Sequence, residues 1–93
     1  MKLEWSAEAR ADLDRFERFL RDRYPHLAPV VAKSIIDAAH VLEEHPKLGR
    51  PIAGRDQYRQ MVLRVLNATY IFQYRYDGAR LTMLRVFHGR ERR

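Results

Sequence analysis

Three runs rich in Val, Leu, Ile, Phe and Tyr, at 58–66, 70–76 and 80–87, follow one another with very short spacers. Runs of that composition and length read as strands, and connections this short make the three an antiparallel meander. The second and third runs are joined by Asp77-Gly78, a pair suited to a type I′ turn, in which both central residues take positive φ. Along the second run, Tyr70, Phe72, Tyr74 and Tyr76 fall on one side, and Ile71, Gln73 and Arg75 on the other. That alternation is the period of a half-buried strand. The sheet therefore has an aromatic face and a more polar one, and whatever precedes it must cover the aromatic face.

Two helices are placed to do so. Residues 2–5 alternate weakly, as a short edge strand would. Ser6 then offers an N-cap hydroxyl, with Glu8 and Asp12 near the positive end of the helix dipole. Ala9, Leu13, Phe16, Leu20 and Tyr24 draw one apolar stripe, which Phe19 widens. Asp12, Asp14, Arg15, Arg18, Arg21 and Asp22 lie mostly off that stripe and read as a solvated face of mixed charge. Pro25 ends the helix. Pro29 suits the first turn of a second helix, along which Val31, Ile35, Ala38 and Leu42 repeat, flanked by Val30, Ala39 and Val41. The second helix stops before Pro46. The expected fold is α+β: a short N-terminal strand, an αα-hairpin and a three-stranded meander, in one domain spanning 1–93. Residues 46–56, with two prolines and two glycines, read as a loop that exposes Lys47, Arg50 and Arg55 to a partner.

At 93 residues the chain can bury roughly 60 to 65% of its unfolded surface, enough for one core. The absence of cysteine removes disulfides and thiolate chemistry. No segment approaches the run of about eighteen apolar residues that spans a bilayer, and the amino terminus lacks a signal-peptide core, so the expectation is a cytoplasmic protein with no membrane partner. His26, His40 and His45 lack the spacing of metal ligands, so neither a metal nor another cofactor is expected. Charge is uneven: residues 1–46 carry −2, whereas residues 47–93 carry +8, nearly all of the basic groups being arginine. Such a half attracts polyanions and acidic protein segments alike.

Four blocks, in order and at matching distances, then give the chain a resemblance to the RelE/ParE toxins of bacterial type II toxin–antitoxin pairs, over almost its whole length. They are Trp5-Ser6-x-x-Ala9-x-x-Asp12-Leu13, Pro46-Lys47-Leu48-Gly49-Arg50-Pro51, Tyr70-Ile71-Phe72-Gln73-Tyr74-Arg75 and Leu84-Arg85-Val86-Phe87-His88-Gly89-Arg90. The resemblance implies an antitoxin partner and one of two activities. RelE-like members cut messenger RNA on the ribosome, and ParE-like members poison DNA gyrase. Cleavage needs a cation for the phosphate's developing charge, together with a base and an acid. Against the RelE pattern Arg59 keeps one basic position. Met61 stands at the second, Ile71 replaces the arginine after the strand tyrosine, and the segment bearing the RelE tyrosine does not appear before Arg93.

His88-Gly89-Arg90 resembles the ParE-like ending. The expectation is therefore a ParE-like toxin that inhibits gyrase by binding, without a catalytic residue of its own, through a face carrying Arg50, Arg55, Arg59, Arg64, Arg85, His88 and Arg90. The alternative is a ribosome-dependent endonuclease using His88 with Arg59, Arg85 and Arg90. A second alternative is a degenerate, non-toxic module that binds only an antitoxin or nucleic acid. Tyr70, Tyr74 and Tyr76 could stack nucleic-acid bases, but the helical stripes need an apolar surface, and packing takes precedence.

Overall fold

The computed structural model describes residues 1–89. Strand β1 (Leu3–Trp5) leads into helices α1 (Ala7–Arg23) and α2 (Ala28–Glu44). Four strands follow: β2 (Arg50–Ile52), β3 (Arg55–Val65), β4 (Ala68–Tyr76) and β5 (Leu81–His88). They form one sheet in the order β1-β5-β4-β3-β2, with β1 parallel to β5 and every other pair antiparallel. The expected α+β architecture is present, with one strand more than the meander called for. No helix among the described residues is long and apolar enough to cross a membrane.

The helices start and stop where the sequence places them. Ser6 Oγ accepts the Ala9 amide at 3.0 Å and donates to the Leu84 carbonyl at 2.9 Å, so one hydroxyl caps α1 and ties it to β5. The helix ends at Arg23, before Pro25, and Pro29 occupies the first turn of α2. Both helices pack on the aromatic face: Ala9 and Phe16 of α1, with Val31, Ile35, Ala39 and Leu42 of α2, join Tyr70, Phe72 and Tyr74 in one core. Phe16 and Tyr70 meet edge to face at 5.4 Å. The tyrosines of this face therefore serve packing. Tyr24 and Phe19 leave the expected stripe and stand about half exposed, Tyr24 being the C-cap residue of α1.

Three expectations are corrected. Residues 46–56 are not wholly a loop, since β2 pairs antiparallel with β3, which itself starts at Arg55 rather than at residue 58. Gly54, at φ 75°, turns that hairpin, and Pro51 is tolerated because β2 is the outermost strand and one amide there has no ladder to join. The β4–β5 turn is not type I′. Only Gly78 takes positive φ (91°), while Asp77 stays before the turn and its Oδ1 accepts the amides of Ala79 and Arg80 at 2.9 and 2.8 Å. A carboxylate able to bond the turn's own amides gains more there than in a left-handed conformation. The residue that does adopt one is Leu66 (φ 56°), in the two-residue connection between β3 and β4.

The third correction carries the most energy. Asp12, expected on a solvated face, is 1% exposed. β1 covers β5 only as far as Met83, and beyond that point the edge of β5 is open. Asp12 closes it: Oδ2 accepts the Val86 amide at 2.8 Å and Arg85 Nε at 2.8 Å, while Oδ1 accepts Arg85 Nη2 at 3.1 Å and Arg15 Nη1 at 3.0 Å. Burial pushes the carboxyl up, but the hydrogen bonds from Arg85, Val86 and Arg15 outweigh it and hold it below its ordinary value of 3.8. Glu43 of α2 does the same for β1 on that side of the sheet, its Oε2 accepting the Leu3 amide at 2.6 Å.

Asp12→Ala strands the Val86 amide and should cost about 2–4 kcal/mol in urea unfolding, with Asp12→Asn about half as damaging. Because the folded carboxyl lies below the unfolded one, its contribution is fully present above the ordinary value and lost as pH falls through the folded value. The stability gap between wild type and Asp12→Ala should therefore shrink below about pH 4.

Candidate functional site

Among the described residues, the basic half of the chain does not gather its arginines into one cluster. Side chains alternate across a strand, so residues 59, 61, 63 and 65 of β3 share the helix-bearing face with Tyr70, Phe72 and Tyr74. Residues 58, 60, 62 and 64 look the other way. On that open face the register aligns Arg50, Gln60, Gln73 and Arg85 in one row across four strands, and Gln73 donates to Gln60 at 3.3 Å. The next row is apolar, with Val62, Ile71 and Phe87, and beyond it lies Arg64 beside Thr69. Arg55 sits apart near the β2–β3 turn, its guanidinium 5.7 Å from the Tyr58 ring centroid. Arg90 lies outside the described residues.

Two of the expected contact residues are committed elsewhere. The Arg85 guanidinium, though in line with Gln73, is bound to Asp12 and lies 4.7 Å over the Phe87 ring. Arg59 falls on the helix-bearing face. Its Nη1 donates to the carbonyls of Lys47 (3.2 Å) and Gly49 (2.8 Å), and its Nε is buried without a hydrogen bond. His88 pairs with Tyr70 across the sheet, on the face opposite Arg64, and its ring meets the tyrosine edge to face at 5.3 Å. Among the described residues no three His, Asp or Glu side chains are grouped so as to hold a metal ion.

What sequence reasoning missed is the device that presents Arg50. Tyr74, fully buried, donates its hydroxyl proton to the Pro46 carbonyl at 2.8 Å and accepts the Gly49 amide at 2.8 Å. Burial pushes this phenol above its ordinary value, although the Gly49 amide and the charge of Arg59 act the other way. Leu48 closes the turn by donating its amide to His45 at 3.0 Å. Residues 46–49 are thus bolted from below by Tyr74 and Arg59, while Leu48 and Arg50 point to solvent. Gly49 is obligatory for a steric reason, since a Cβ there would lie 2.6 Å from the Tyr74 oxygen and 3.0 Å from the Gln60 carbonyl. The signal was in the sequence as a glycine between two exposed positions in a proline-bounded segment, but the tyrosine that requires it is 25 residues away.

Gly49→Ala should destabilise by about 1–3 kcal/mol through overpacking, and Tyr74→Phe by a similar amount through the two backbone groups it strands. Because both break one latch, the double variant should cost clearly less than the two single changes together in urea titrations.

The wider comparisons agree with this architecture. A family model described as the ParE toxin of type II toxin–antitoxin system, parDE, matches residues 3–93. A curated relative, Toxin RelE3 of Caulobacter vibrioides, is 30% identical over 91 residues, which is 98% of this chain and 97% of the relative. Among solved structures, a chain from the chromosomal ParDE toxin–antitoxin system of P. aeruginosa superposes with a TM-score of 0.75 at 23% identity, covering 95% of each chain, and so shares the fold. With the Trp5–Leu13, Pro46–Pro51 and His88-Gly89 blocks accounted for by a capped and buried helix edge, a latched loop and a strand end, the chain belongs to the ParE toxin family of type II toxin–antitoxin systems.

Proposed function

We propose that residues 1–93 act as one ParE-like toxin domain that works in the cytoplasm by binding DNA gyrase, performs no cleavage itself and is neutralised by a cognate antitoxin. The observation that carries binding over cleavage is the dispersal of the basic side chains among the described residues. Cleavage of RNA needs cations and a proton-transfer group converging on one phosphate. Here Arg59 is spent on the loop, Arg85 on Asp12, and His88 stands on the opposite face from Arg64. A surface of separated arginines beside an apolar row is suited to holding a protein, where contacts are spread over a wide area.

The antitoxin has a natural seat between the helices. α1 and α2 diverge around a cleft of 180 Å³ whose walls include Leu13, Leu20, Val31 and Ile36, with Ile36 still 54% exposed. An amphipathic segment that folds on binding would bury these residues, as helix-in-groove recognition does. The relative named Toxin RelE3 favours a second reading, ribosome-dependent cleavage of messenger RNA, in which His88 would act with Arg85, Arg59 and Arg90.

Purified protein should abolish supercoiling of relaxed plasmid by gyrase and leave a labelled message intact on translating ribosomes. His88→Ala should retain that inhibition. Message cut at the A-site codon, with cutting lost in His88→Ala, would replace this reading by the nuclease. Inactivity in both assays, with antitoxin still bound, would leave a non-toxic binding module.

A further inference from the structure

The loop latched by Tyr74 and Arg59 borders a hollow along the β2–β3 hairpin. The hollow measures 560 Å³, and its walls include Leu48, Arg50, Ile52, Met61 and Val62. Leu48 is 55% exposed and Val62 57%. An exposed leucine on a mobile loop is ordinary, but Leu48 stands on a backbone held by hydrogen bonds on both sides. The ordering cost of using it as a contact has been met by the fold. Arg50 is the one charged residue of the lining, and among the described residues it has no ionic partner. Arg64, one step beyond Val62 on the same face, has none either.

We propose that this hollow is the docking site for an acidic segment of the toxin's protein target, an apolar side chain of the segment seating between Leu48 and Val62 and a carboxylate meeting Arg50. The occupant follows from the lining. Leu48, Pro51, Ile52, Met61 and Val62 give an apolar peptide side chain a surface to pack on beside the polar Arg50 and Gln60, whereas no aromatic ring lines the hollow for a base to stack on. The guanidinium at the rim selects a carboxylate, which it can grip through two parallel hydrogen bonds. The hollow shares no lining residue with the helical cleft, so target and antitoxin engage different surfaces. This inference rests on the reading that the chain acts by binding a protein.

The test uses the full chain, labelled with nitrogen-15, and a fluorescein-tagged peptide of aspartates and glutamates around a central leucine–phenylalanine pair. Control probes are the same peptide with alanines at the centre and a single-stranded DNA of equal charge. The acidic apolar peptide should shift the Leu48, Arg50 and Val62 amides, bind at least about tenfold more weakly to Arg50→Glu and Leu48→Glu, and outbind both controls. Both side chains are exposed, so these variants should keep the wild-type urea midpoint. Shifts confined to the α1–α2 cleft, equal binding by Arg50→Glu, or preference for the DNA would overturn the proposal. Gyrase supercoiling run with the same proteins separates the two claims. Wild type without effect on gyrase defeats the gyrase reading and leaves the peptide result standing. Inhibition undiminished in Leu48→Glu and Arg50→Glu defeats the docking site alone.

Discussion

The Asp12 carboxylate is the contact on which this fold depends. A sheet whose first strand is only three residues long cannot cover its neighbour, and the last half of β5 would expose unpaired amides beside the core. One carboxylate on α1 accepts the Val86 amide and draws in Arg85 and Arg15, joining the first helix to the last strand across 74 residues. Glu43 repeats the device on β1 from α2, so a carboxylate from each helix caps strand amides along the β1–β5 side of the sheet. Open edges invite pairing with other chains, and here a helix carboxylate occupies the place a further strand would take.

The same economy governs the basic half of the sequence. Arginine there reads as a binding surface, yet Arg59 and Arg85 hold backbone and carboxylate inside the molecule. Among the described residues of the open face, Arg75 is paired with Asp77 and Gln57, while Arg50 and Arg64 stand without an ionic partner, separated by the apolar row of Val62, Ile71 and Phe87. The loop that carries Leu48 and Arg50 beside that row is held from beneath by Tyr74 and Arg59.

Much of the fold was legible because it rests on local patterns. Prolines 25, 29 and 46 punctuate the helices, Ser6 caps the first, and the alternation of Tyr70, Phe72 and Tyr74 marks the buried face. The failures have a common cause, a partner distant in sequence. Asp12 occurs in phase with Ala9 and Phe16, yet only the short reach of β1 makes burying a carboxylate there favourable. β2 is three residues with a proline, and it exists because β3 offers it a ladder. The scatter of the arginines depends on strand register, including the irregularity between Gln73 and Tyr74 that realigns β5. A shift of one residue would exchange the two faces. Of the candidate site, the Pro46–Pro51 segment and Arg50 were visible from the sequence, whereas the part played by Tyr74 was not.

The central claim is that residues 46–50 form a rigid platform rather than a flexible loop, and nitrogen-15 relaxation of the free protein tests it most directly. The latch predicts order parameters at Leu48, Gly49 and Arg50 near the value of about 0.85 found in rigid backbone, matching β3 and β4, with a fall at those three residues in Tyr74→Phe. Values below about 0.6 in the wild type would show that Tyr74 and Arg59 do not hold the segment, and would contradict the account.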